Sequence, residues 1–375
     1  MIPFNKPYFS RNETEYIRLA VESGKISGDG IFTDKCHKFF EKRYGFGKCL
    51  LTTSCTDALE MAALLIGIKQ GDEVIAPTYT FVSSVNAFVL RGAKIVFLDS
   101  CANHPHMDAD LIEKFITPKT KAIIPVHYAG IACDMDKIMF LAKKHNLFVV
   151  EDCAQAVDSF YKGKPLGTFG DFATFSFHET KNVISGEGGM IAINNPEFIQ
   201  RAEIIREKGT NRSSFFRGEV DKYGWVDIGS SFLPSDIIAA FLFAQLENLD
   251  DIQARRKKIW NWYHQGLSLL EQKNVLKLPD IPVYAANNAH MYYLICKNLD
   301  ERTSLIKFLR ECGIHAVFHY LSLHKSPYYT SLYQGGDLPH ADRFADCLVR
   351  LPFFYELKEE QVNFIVQSIY NYFQK

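Results

Sequence analysis

The sequence predicts an α/β fold: a large, mostly parallel β-sheet with helices on both faces, followed by a smaller C-terminal α+β domain. Three observations predict this architecture. Between Gly71 and Asp152, short apolar strands alternate with helices at the interval that is typical of parallel sheets. Past Pro279 this alternation ends, and short strands and helices follow in a mixed order. The 375 residues are enough for two or three hydrophobic cores.

The predicted elements follow one another in a regular order. A first helix covers 32–44, where aromatic residues recur at helical spacing, and Gly45 ends it. The predicted strands of the large sheet are 49–53, 73–76, 94–98, 122–126, 148–151, 172–177 and 190–193. The predicted helices between them are 54–65, 80–90, 111–116 and 136–145. The second domain is predicted to hold a helical stretch at 236–264, strands at 291–295 and 316–320, and helices at 305–312 and 359–373. We therefore divide the chain into a large domain, 1–245, and a small domain, 246–375.

Composition is that of an ordinary globular protein, with 47% hydrophobic and 23% charged residues. The net charge of −1 gives no electrostatic reason to expect nucleic acid or an anionic membrane as a partner. No apolar run reaches the length of a signal peptide core at the N-terminus or of a bilayer span elsewhere. The nine cysteines are scattered without a CxxC pair, so we expect reduced thiols and a cytoplasmic protein.

One lysine lies in a short polar loop between two predicted strands. Lys181 follows strand 172–177 and precedes the glycine cluster Gly186–Gly189. Such a loop can hold a lysine partly out of water, which lowers the pKa of the amine and makes it a usable nucleophile. A solvated loop lysine is the alternative on this stretch alone.

Polar and aromatic residues follow other strands at their carboxyl ends, where ligands bind in sheets of this type. Ser54, Cys55 and Thr56 open a helix directly after a strand, which favours a phosphate, although ordinary N-capping explains the same residues. Further residues in such positions are Tyr79, Phe81, His127, Tyr128, Asp152, Gln155 and Ser176. A phosphate cradle, a flat aromatic ring, a carboxylate and an amine are the groups that pyridoxal 5'-phosphate requires.

Longer motifs give the chain a family resemblance. Glu151–Ala156, Phe175–Asn182 and Gly186–Gly189 resemble motifs of the DegT/DnrJ/EryC1/StrS sugar aminotransferases, and the resemblance covers essentially the whole chain. These are fold-type I enzymes that depend on pyridoxal phosphate. Further stretches resemble the branch of the family that aminates C4 of a dTDP-linked sugar: 28–30, 126–130, 177–182, 205–212, 216–218 and 318–320.

The resemblance implies roles for single residues. Lys181 would be the Schiff-base lysine and proton shuttle, and Asp152 would pair with the pyridine nitrogen. The other implied cofactor-binding residues are Cys55, Thr56, Phe81, Gln155, Ser176 and Ser231. Phe81 would stack on the ring, and Gln155 would bond the phenolic oxygen. Most relatives carry Asn-Gly-Thr at 54–56, and Ser231 replaces an asparagine that reaches the phosphate of the neighbouring subunit.

The resemblance also implies the substrates and the assembly. L-glutamate would donate the amino group, and dTDP-4-keto-6-deoxy-D-glucose would accept it at C4, giving dTDP-4-amino-4,6-dideoxy-D-galactose for a surface polysaccharide such as enterobacterial common antigen, O-antigen or lipopolysaccharide. A homodimer with its sites at the interface is expected. The candidate substrate-binding residues are His178, Arg212, Arg217, His319 and Tyr320.

Several alternatives stay open at this point. The product could be the gluco epimer or a 3-amino sugar, and the chain could be a dehydratase or a non-catalytic binding protein of the same fold. The basic residues between Lys208 and Arg217 suit a diphosphate, but they also suit a solvated loop. No metal site is predicted, because His319 and His324 have no carboxylate or cysteine at matching spacing.

Overall fold

The computed structural model describes residues 1–374, and its strands form three sheets. The strands are β1 (Lys48–Thr52), β2 (Glu73–Pro77), β3 (Lys94–Leu98), β4 (Thr120–Ile123), β5 (Phe148–Asp152), β6 (Phe160–Tyr161), β7 (Lys164–Pro165), β8 (Phe172–Ser176), β9 (Gly189–Ile193), β10 (Ala285–Ala286), β11 (Tyr293–Ile295), β12 (Val317–Phe318) and β13 (Leu348–Arg350). The helices are α1 (Glu13–Glu22), α2 (Ile31–Tyr44), α3 (Cys55–Leu65), α4 (Ser83–Val89), α5 (Met135–His145), α6 (Ile199–Arg206), α7 (Arg212–Phe216), α8 (Asp236–Glu247), α9 (Leu249–Gln272), α10 (Leu299–Glu311), α11 (Pro339–Cys347) and α12 (Glu359–Phe373).

The large sheet has seven strands in the order β1-β9-β8-β5-β4-β2-β3. The pairs β2–β3, β2–β4, β4–β5 and β5–β8 are parallel, and β9 runs antiparallel to both of its neighbours. The carboxyl ends of the parallel strands therefore meet at one edge of the sheet. The turn before α3, the loop after β5 and the loop after β8 that contains Lys181 all lie at this edge.

Both faces of this sheet are buried, and the strand period of two places neighbouring side chains on opposite faces. Leu50 and Val74 pack into a cluster with α3 and α4, whereas their neighbours Leu51 and Ile75 pack on the opposite face with α2, α5 and α8. Burying one such side chain stabilises the fold by about 1.5–3 kcal/mol. The predicted mostly parallel sheet with helices on both faces is confirmed.

In the C-terminal part of the chain, a separate hydrophobic cluster lies between α9, α10, α12 and the antiparallel sheet β11-β13-β12. The helical stretch predicted at 236–264 is two helices that meet at Asn248, and the second continues to Gln272. Helix α8 packs on α1 and α2, whereas α9 packs on α12. The predicted boundary after residue 245 falls in the last turn of α8, and the domain division stays a prediction.

Other elements differ from the prediction for physical reasons. Helix α1 was not predicted because it buries only Glu13 and Ala20 and so has no clear apolar period. The helix predicted at 111–116 is a 3-10 helix over Ala109–Phe115. The helix predicted at 80–90 begins at Ser83, which leaves the preceding residues free to line the site. No helix within residues 1–374 combines the length and apolar character that a bilayer crossing demands.

Candidate active site

A cavity of about 590 Å³ lies where the carboxyl ends of β5 and β8 meet the start of α3 and residues of the C-terminal part of the chain. Ten of the predicted site residues line it: Cys55, Thr56, Phe81, Asp152, Gln155, Ser176, His178, Lys181, His319 and Tyr320. They come from five separate segments of the chain. The topology therefore brings together residues that the sequence separates by up to 265 positions.

Lys181 is held in a tightly bonded turn. Its backbone N–H donates to the His178 carbonyl at 2.9 Å, and the next residue, Asn182, donates its amide to the Asn288 carbonyl at 2.9 Å. The Lys181 amine forms no hydrogen bond with any residue in 1–374. Burial lowers the pKa of this amine, and the Arg350 charge adds to the effect, while the Cys55 thiol and the Asp152 carboxylate oppose it. A larger fraction of the amine is therefore unprotonated at neutral pH than in an ordinary lysine.

Asp152 ends β5 and is buried, with 4% of its surface exposed. The Ser84 hydroxyl donates to Oδ2 at 2.6 Å, and the Ala154 N–H donates to Oδ1 at 3.0 Å. Both carboxylate oxygens therefore accept hydrogen bonds, which fixes their orientation towards the cavity. Such a carboxylate can hold a protonated ring nitrogen.

Gln155 is oriented by two hydrogen bonds. Its Oε1 accepts from the Ala129 N–H at 2.6 Å, so the amide Nε2 faces the opposite way and donates to the Tyr320 hydroxyl at 3.1 Å. The second N–H of this amide remains available to an acceptor in the cavity, such as a phenolic oxygen. Tyr320 has a left-handed backbone, with φ of 43°, and such strain is found at functional sites.

His319 is oriented by its neighbours. Its Nδ1 lies 2.8 Å from the Tyr128 hydroxyl, and the Tyr79 hydroxyl bonds its backbone carbonyl. Burial lowers the pKa of His319 far below its ordinary value, and the charges of Arg350 and Lys181 act in the same direction. The imidazole is therefore neutral, and its Nε2 is the ring nitrogen left to a ligand.

The start of α3 has backbone N–H groups that could hold a phosphate. The first intrahelical bond runs from the Ala58 N–H to the Ser54 carbonyl at 3.2 Å, so the N–H groups of Cys55 and Thr56 precede it and have no helical partner. The Ser54 side chain caps the helix at Asp57 N, at 3.1 Å. Gly189 lets β9 approach this turn, because a Cβ there would lie 2.4 Å from Cys55 N.

The remaining predicted residues of the cavity are less enclosed. Phe81 is 55% exposed and lies with its ring centroid 6.0 Å from that of Tyr320. His178 accepts at Nδ1 from the Thr180 N–H at 3.3 Å, and its Nε2 lies 3.7 Å from Glu187. An exposed ring at the mouth of the cavity suits stacking on a flat ligand.

Three predicted site residues lie outside the cavity wall. Ser231 is exposed and pairs with Glu207 through an isolated β-bridge. Arg217 forms ion pairs with Glu203 at 2.9 Å and with Glu219 at 2.6 Å, and Arg212 lies over the Phe216 ring. Within one chain these side chains are separate from Lys181, and their roles stay predictions.

The sequence reasoning missed several residues of the wall, notably Ser84, His290 and Arg350. Ser84 is the second residue of α4, and no motif in the sequence indicates its hydrogen bond to Asp152. His290 bonds Asn182 Oδ1 through Nδ1 at 2.9 Å and so supports the residue after Lys181. Arg350 ends a three-residue strand in an apolar stretch, and no motif signals it.

One buried cluster has the composition of a metal site, but its polar atoms form hydrogen bonds with other protein groups. His127, Glu151 and Cys153 bring possible ligand atoms within 4.8 Å of one another. Glu151 accepts from His127 Nε2 at 3.1 Å and from the N–H groups of Gly167, Phe169 and Gly170 at 2.8–2.9 Å. These bonds fasten the turn before β8 to β5, which is a structural role.

The residues fit pyridoxal phosphate. The free N–H groups at the start of α3 could bind the phosphate, and the Asp152 carboxylate could accept a hydrogen bond from the pyridinium nitrogen. The Gln155 amide N–H could donate to the phenolic oxygen, and the Lys181 amine, with its lowered pKa, could react with the aldehyde. Lys181, Asp152, Gln155, Cys55 and Thr56 would hold the cofactor.

The chain belongs to the DegT/DnrJ/EryC1/StrS aminotransferase family, whose model matches residues 7–370. GDP-perosamine synthase of Escherichia coli O157:H7 is 35% identical over 376 residues, which cover 99% of this chain and 98% of that protein. The spore coat polysaccharide biosynthesis protein SpsC of Bacillus subtilis is 30% identical and covers 98% of this chain and 96% of its own length.

Solved structures give the same result. The putative sugar aminotransferase Spr1654 of Streptococcus pneumoniae in its PMP form is 28% identical and superposes with a TM-score of 0.92, covering 100% of this chain and 99% of that chain. The aminotransferase TlmJ of Streptoalloteichus hindustanus is also 28% identical, with a TM-score of 0.91 and the same coverage. The predicted family, fold-type I architecture, aminotransferase activity and pyridoxal phosphate cofactor are confirmed, and the protein is a sugar aminotransferase.

Proposed function

We propose that this aminotransferase moves the amino group of L-glutamate to C4 of dTDP-4-keto-6-deoxy-D-glucose and forms dTDP-4-amino-4,6-dideoxy-D-galactose. The observation that carries this proposal is that the sequence stretches that resemble the C4-aminating branch of the family contribute residues to one cavity. His127, Lys181 and His319 come from three of those stretches, and all three line the cavity. The resemblance therefore lies in the residues that would meet the sugar.

The side chains of the cavity suit an exchange of amino groups. Bound pyridoxal phosphate supplies an electron sink for this chemistry. Lys181 would hold the cofactor and then move the proton at the reacting carbon, since burial keeps part of its amine unprotonated. Asp152 would hold the ring nitrogen in its protonated form. His319 is neutral, so its Nε2 can bond a sugar hydroxyl without adding charge.

The nucleotide diphosphate would be held by the segment around α7. Arg212, Arg217 and Lys208 are exposed on this segment, beside the exposed aromatic rings of Phe216 and Trp225. Guanidinium groups bind phosphates bidentately, and aromatic rings accept a base. Because the segment lies outside the cavity of its own chain, we propose that it serves the site of a second subunit.

We also propose that the enzyme is a cytoplasmic homodimer. In this arrangement Ser231, which lies after the α7 segment, would reach the phosphate of the neighbouring subunit. The nine cysteines are all unpaired in the structure, in keeping with a reducing compartment. The surface polysaccharide that uses the product stays a prediction.

A GDP-linked sugar is the second candidate substrate. Its support is the similarity to three proteins named GDP-perosamine synthase, at 31–35% identity over nearly the whole chain. The two candidates share the aminotransferase chemistry and differ in the nucleotide.

Product analysis separates these candidates. The purified enzyme is incubated with ¹⁵N-labelled L-glutamate and either dTDP-4-keto-6-deoxy-D-glucose or a GDP-linked 4-keto sugar, and the products are examined by NMR. We expect ¹⁵N at C4 of the dTDP sugar, with ring-proton couplings of the galacto configuration. Label only in the GDP product, at C3, or with gluco couplings would contradict the proposal.

A further inference from the structure

Arg350 is a cavity-wall arginine without a counter-charge. It ends β13 of the second domain and lines the same cavity as Lys181 and Asp152. Its guanidinium forms no hydrogen bond or ion pair with any residue in 1–374, and its Nε is shielded from solvent without a partner. The Phe4 ring covers the guanidinium, with the ring centroid 4.7 Å from Cζ.

A second buried arginine nearby shows the usual arrangement. Arg256 donates from Nε to the Ala289 carbonyl at 3.1 Å and from Nη2 to the His290 carbonyl at 2.6 Å. Buried polar groups are normally bonded in this way, because an unpaired buried charge is strongly unfavourable. Arg350 has no such partners, so an acceptor in the cavity that it lines would supply the missing hydrogen bonds.

The groups around Arg350 do not neutralise it. Asp152 is the buried carboxylate of the cavity wall, and the Ser84 hydroxyl and the Ala154 N–H already bond its oxygens. Three tyrosines interact electrostatically with Arg350: Tyr128, Tyr320 and Tyr79. They are neutral, because burial raises the pKa of each hydroxyl. An anion that enters the cavity would therefore supply the missing charge.

We infer that Arg350 binds a carboxylate of the amino donor, an inference that rests on the proposed use of glutamate. A guanidinium with free N–H groups matches a carboxylate in a bidentate pair. The α-carboxylate of an amino acid is attached to the same carbon as its amine. Arg350 lines the same cavity as Lys181, and its charge acts on the Lys181 amine. When the donor amine reaches the cofactor at Lys181, the α-carboxylate therefore lies within the same cavity as the Arg350 guanidinium.

The other anions of the reaction are placed differently. The cofactor phosphate has the N-terminus of α3, with the free N–H groups of Cys55 and Thr56. A nucleotide diphosphate is separated from the reacting C4 by the sugar ring, so it lies away from the lysine. Arg350 is thus assigned to the donor half-reaction and not to the sugar half-reaction.

The two half-reactions test this assignment separately. The holoenzyme is mixed with L-glutamate, and the loss of the cofactor's visible absorbance is followed in single turnover; the pyridoxamine-loaded enzyme is then mixed with the keto sugar. In Arg350→Gln we expect the glutamate concentration for half-maximal conversion to rise about tenfold or more, the range for a hydrogen bond to a charged group. The half-saturating concentration of the keto sugar stays within twofold.

Calorimetry gives a readout that does not depend on turnover. Glutarate, which has no amine to transfer, should bind the wild-type holoenzyme, and its neutral diamide should bind at least tenfold more weakly. Arg350→Gln should bind glutarate more weakly by a similar factor. Arg310→Gln, the same change at an exposed arginine of α10, should leave both affinities unchanged. The comparison of glutarate with its diamide needs no variant and remains valid if Arg350→Gln fails to fold.

Different outcomes would overturn different claims. Equal half-saturation by glutamate in wild type and Arg350→Gln, or equal binding of glutarate and its diamide, would overturn the role of Arg350 alone. A selective effect on the keto sugar would assign Arg350 to the diphosphate and overturn the inference. A wild-type holoenzyme that does not convert with glutamate would overturn the proposed function, and the inference with it.

Discussion

The orientation of Asp152 is what gives that residue its chemical value. Two donors, Ser84 and the Ala154 N–H, hold its oxygens in place. A charge-assisted bond to a ring nitrogen is among the stronger hydrogen bonds in proteins. The sequence predicted Asp152 from its position after a strand, but it could not predict Ser84, because that hydrogen bond joins residues 68 positions apart that only the tertiary fold brings together.

Replacing Asp152 by asparagine should slow the proton-transfer step by orders of magnitude while cofactor binding is partly retained. An amide holds the ring nitrogen less well in its protonated form, so the electron sink is weakened. Single-turnover conversion with glutamate measures this rate. Asp136→Asn, a change at an exposed carboxylate of α5, serves as the control. A decrease of less than about tenfold, or about 1.4 kcal/mol in the barrier, would contradict the assigned role.

Residues in the second domain were the hardest to predict. Arg350 and His290 reach the cavity from segments more than 100 positions beyond Lys181. No local spacing connects these two residues to Lys181, because only the folding of the C-terminal segments against the large sheet brings them to the cavity. His319 and Tyr320 were predicted because they belong to a recognisable motif, not because the residues themselves revealed their contacts with Tyr128 and Gln155.

At the scale of elements, the contact between β9 and the start of α3 shapes the turn that we propose holds the cofactor phosphate. Sequence predicted both elements to within a few residues, since their apolar patterns are strong. The close approach of Gly189 to the turn before α3 was not predicted, because it requires β9 to lie beside β1 in the sheet.

The substitution Gly189→Ala tests this contact. The new Cβ would lie 2.3 Å from the Ser54 carbonyl carbon, and backbone atoms must move to relieve the overlap. We expect a loss of stability on the order of 1–3 kcal/mol and weaker cofactor binding, measured by denaturant titration and by cofactor release. Gly224→Ala, where a Cβ meets nothing within 4 Å, should leave both unchanged. Normal cofactor binding in the Gly189 variant would argue against the cradle.

Helix α7 and the loops around it form the segment that we propose binds the nucleotide diphosphate. The sequence predicts a basic loop over 208–217, whereas the structure has a helix at Arg212–Phe216. Five residues are too few to give a clear helical period, and the carboxylates that pair with Arg217 lie on both sides of it in sequence.

Removing Arg217 should affect only the sugar half-reaction. We expect Arg217→Ala to raise the KM for the nucleotide sugar about tenfold, as for a lost hydrogen bond to a charged group. Conversion of the cofactor by glutamate should be nearly unchanged, because that step involves no diphosphate. Lys222→Ala, a nearby exposed residue, is the control. If both half-reactions slow together, or if neither changes, the α7 segment is not the diphosphate site.

At the scale of the whole molecule, the exposed rings of Phe216 and Trp225 and the position of Ser231 outside the cavity suit a second subunit. Closed two-fold symmetry is the commonest way for identical chains to associate. We expect sedimentation to give a dimer, and an equimolar mixture of Lys181→Ala and Ser231→Trp subunits to regain activity that neither variant has alone. A fully active monomer would contradict the shared site.

The central claim is that Lys181, in the cavity at the carboxyl ends of β5 and β8, carries the cofactor. Borohydride reduction fixes pyridoxal phosphate to the amine that holds it, and mass spectrometry of a digest identifies the modified peptide. We predict that the modification lies on Lys181, that the visible absorption band is lost on reduction, and that Lys181→Ala neither becomes modified nor transaminates while its fold persists. Modification of a different lysine, or full turnover in Lys181→Ala, would contradict the account.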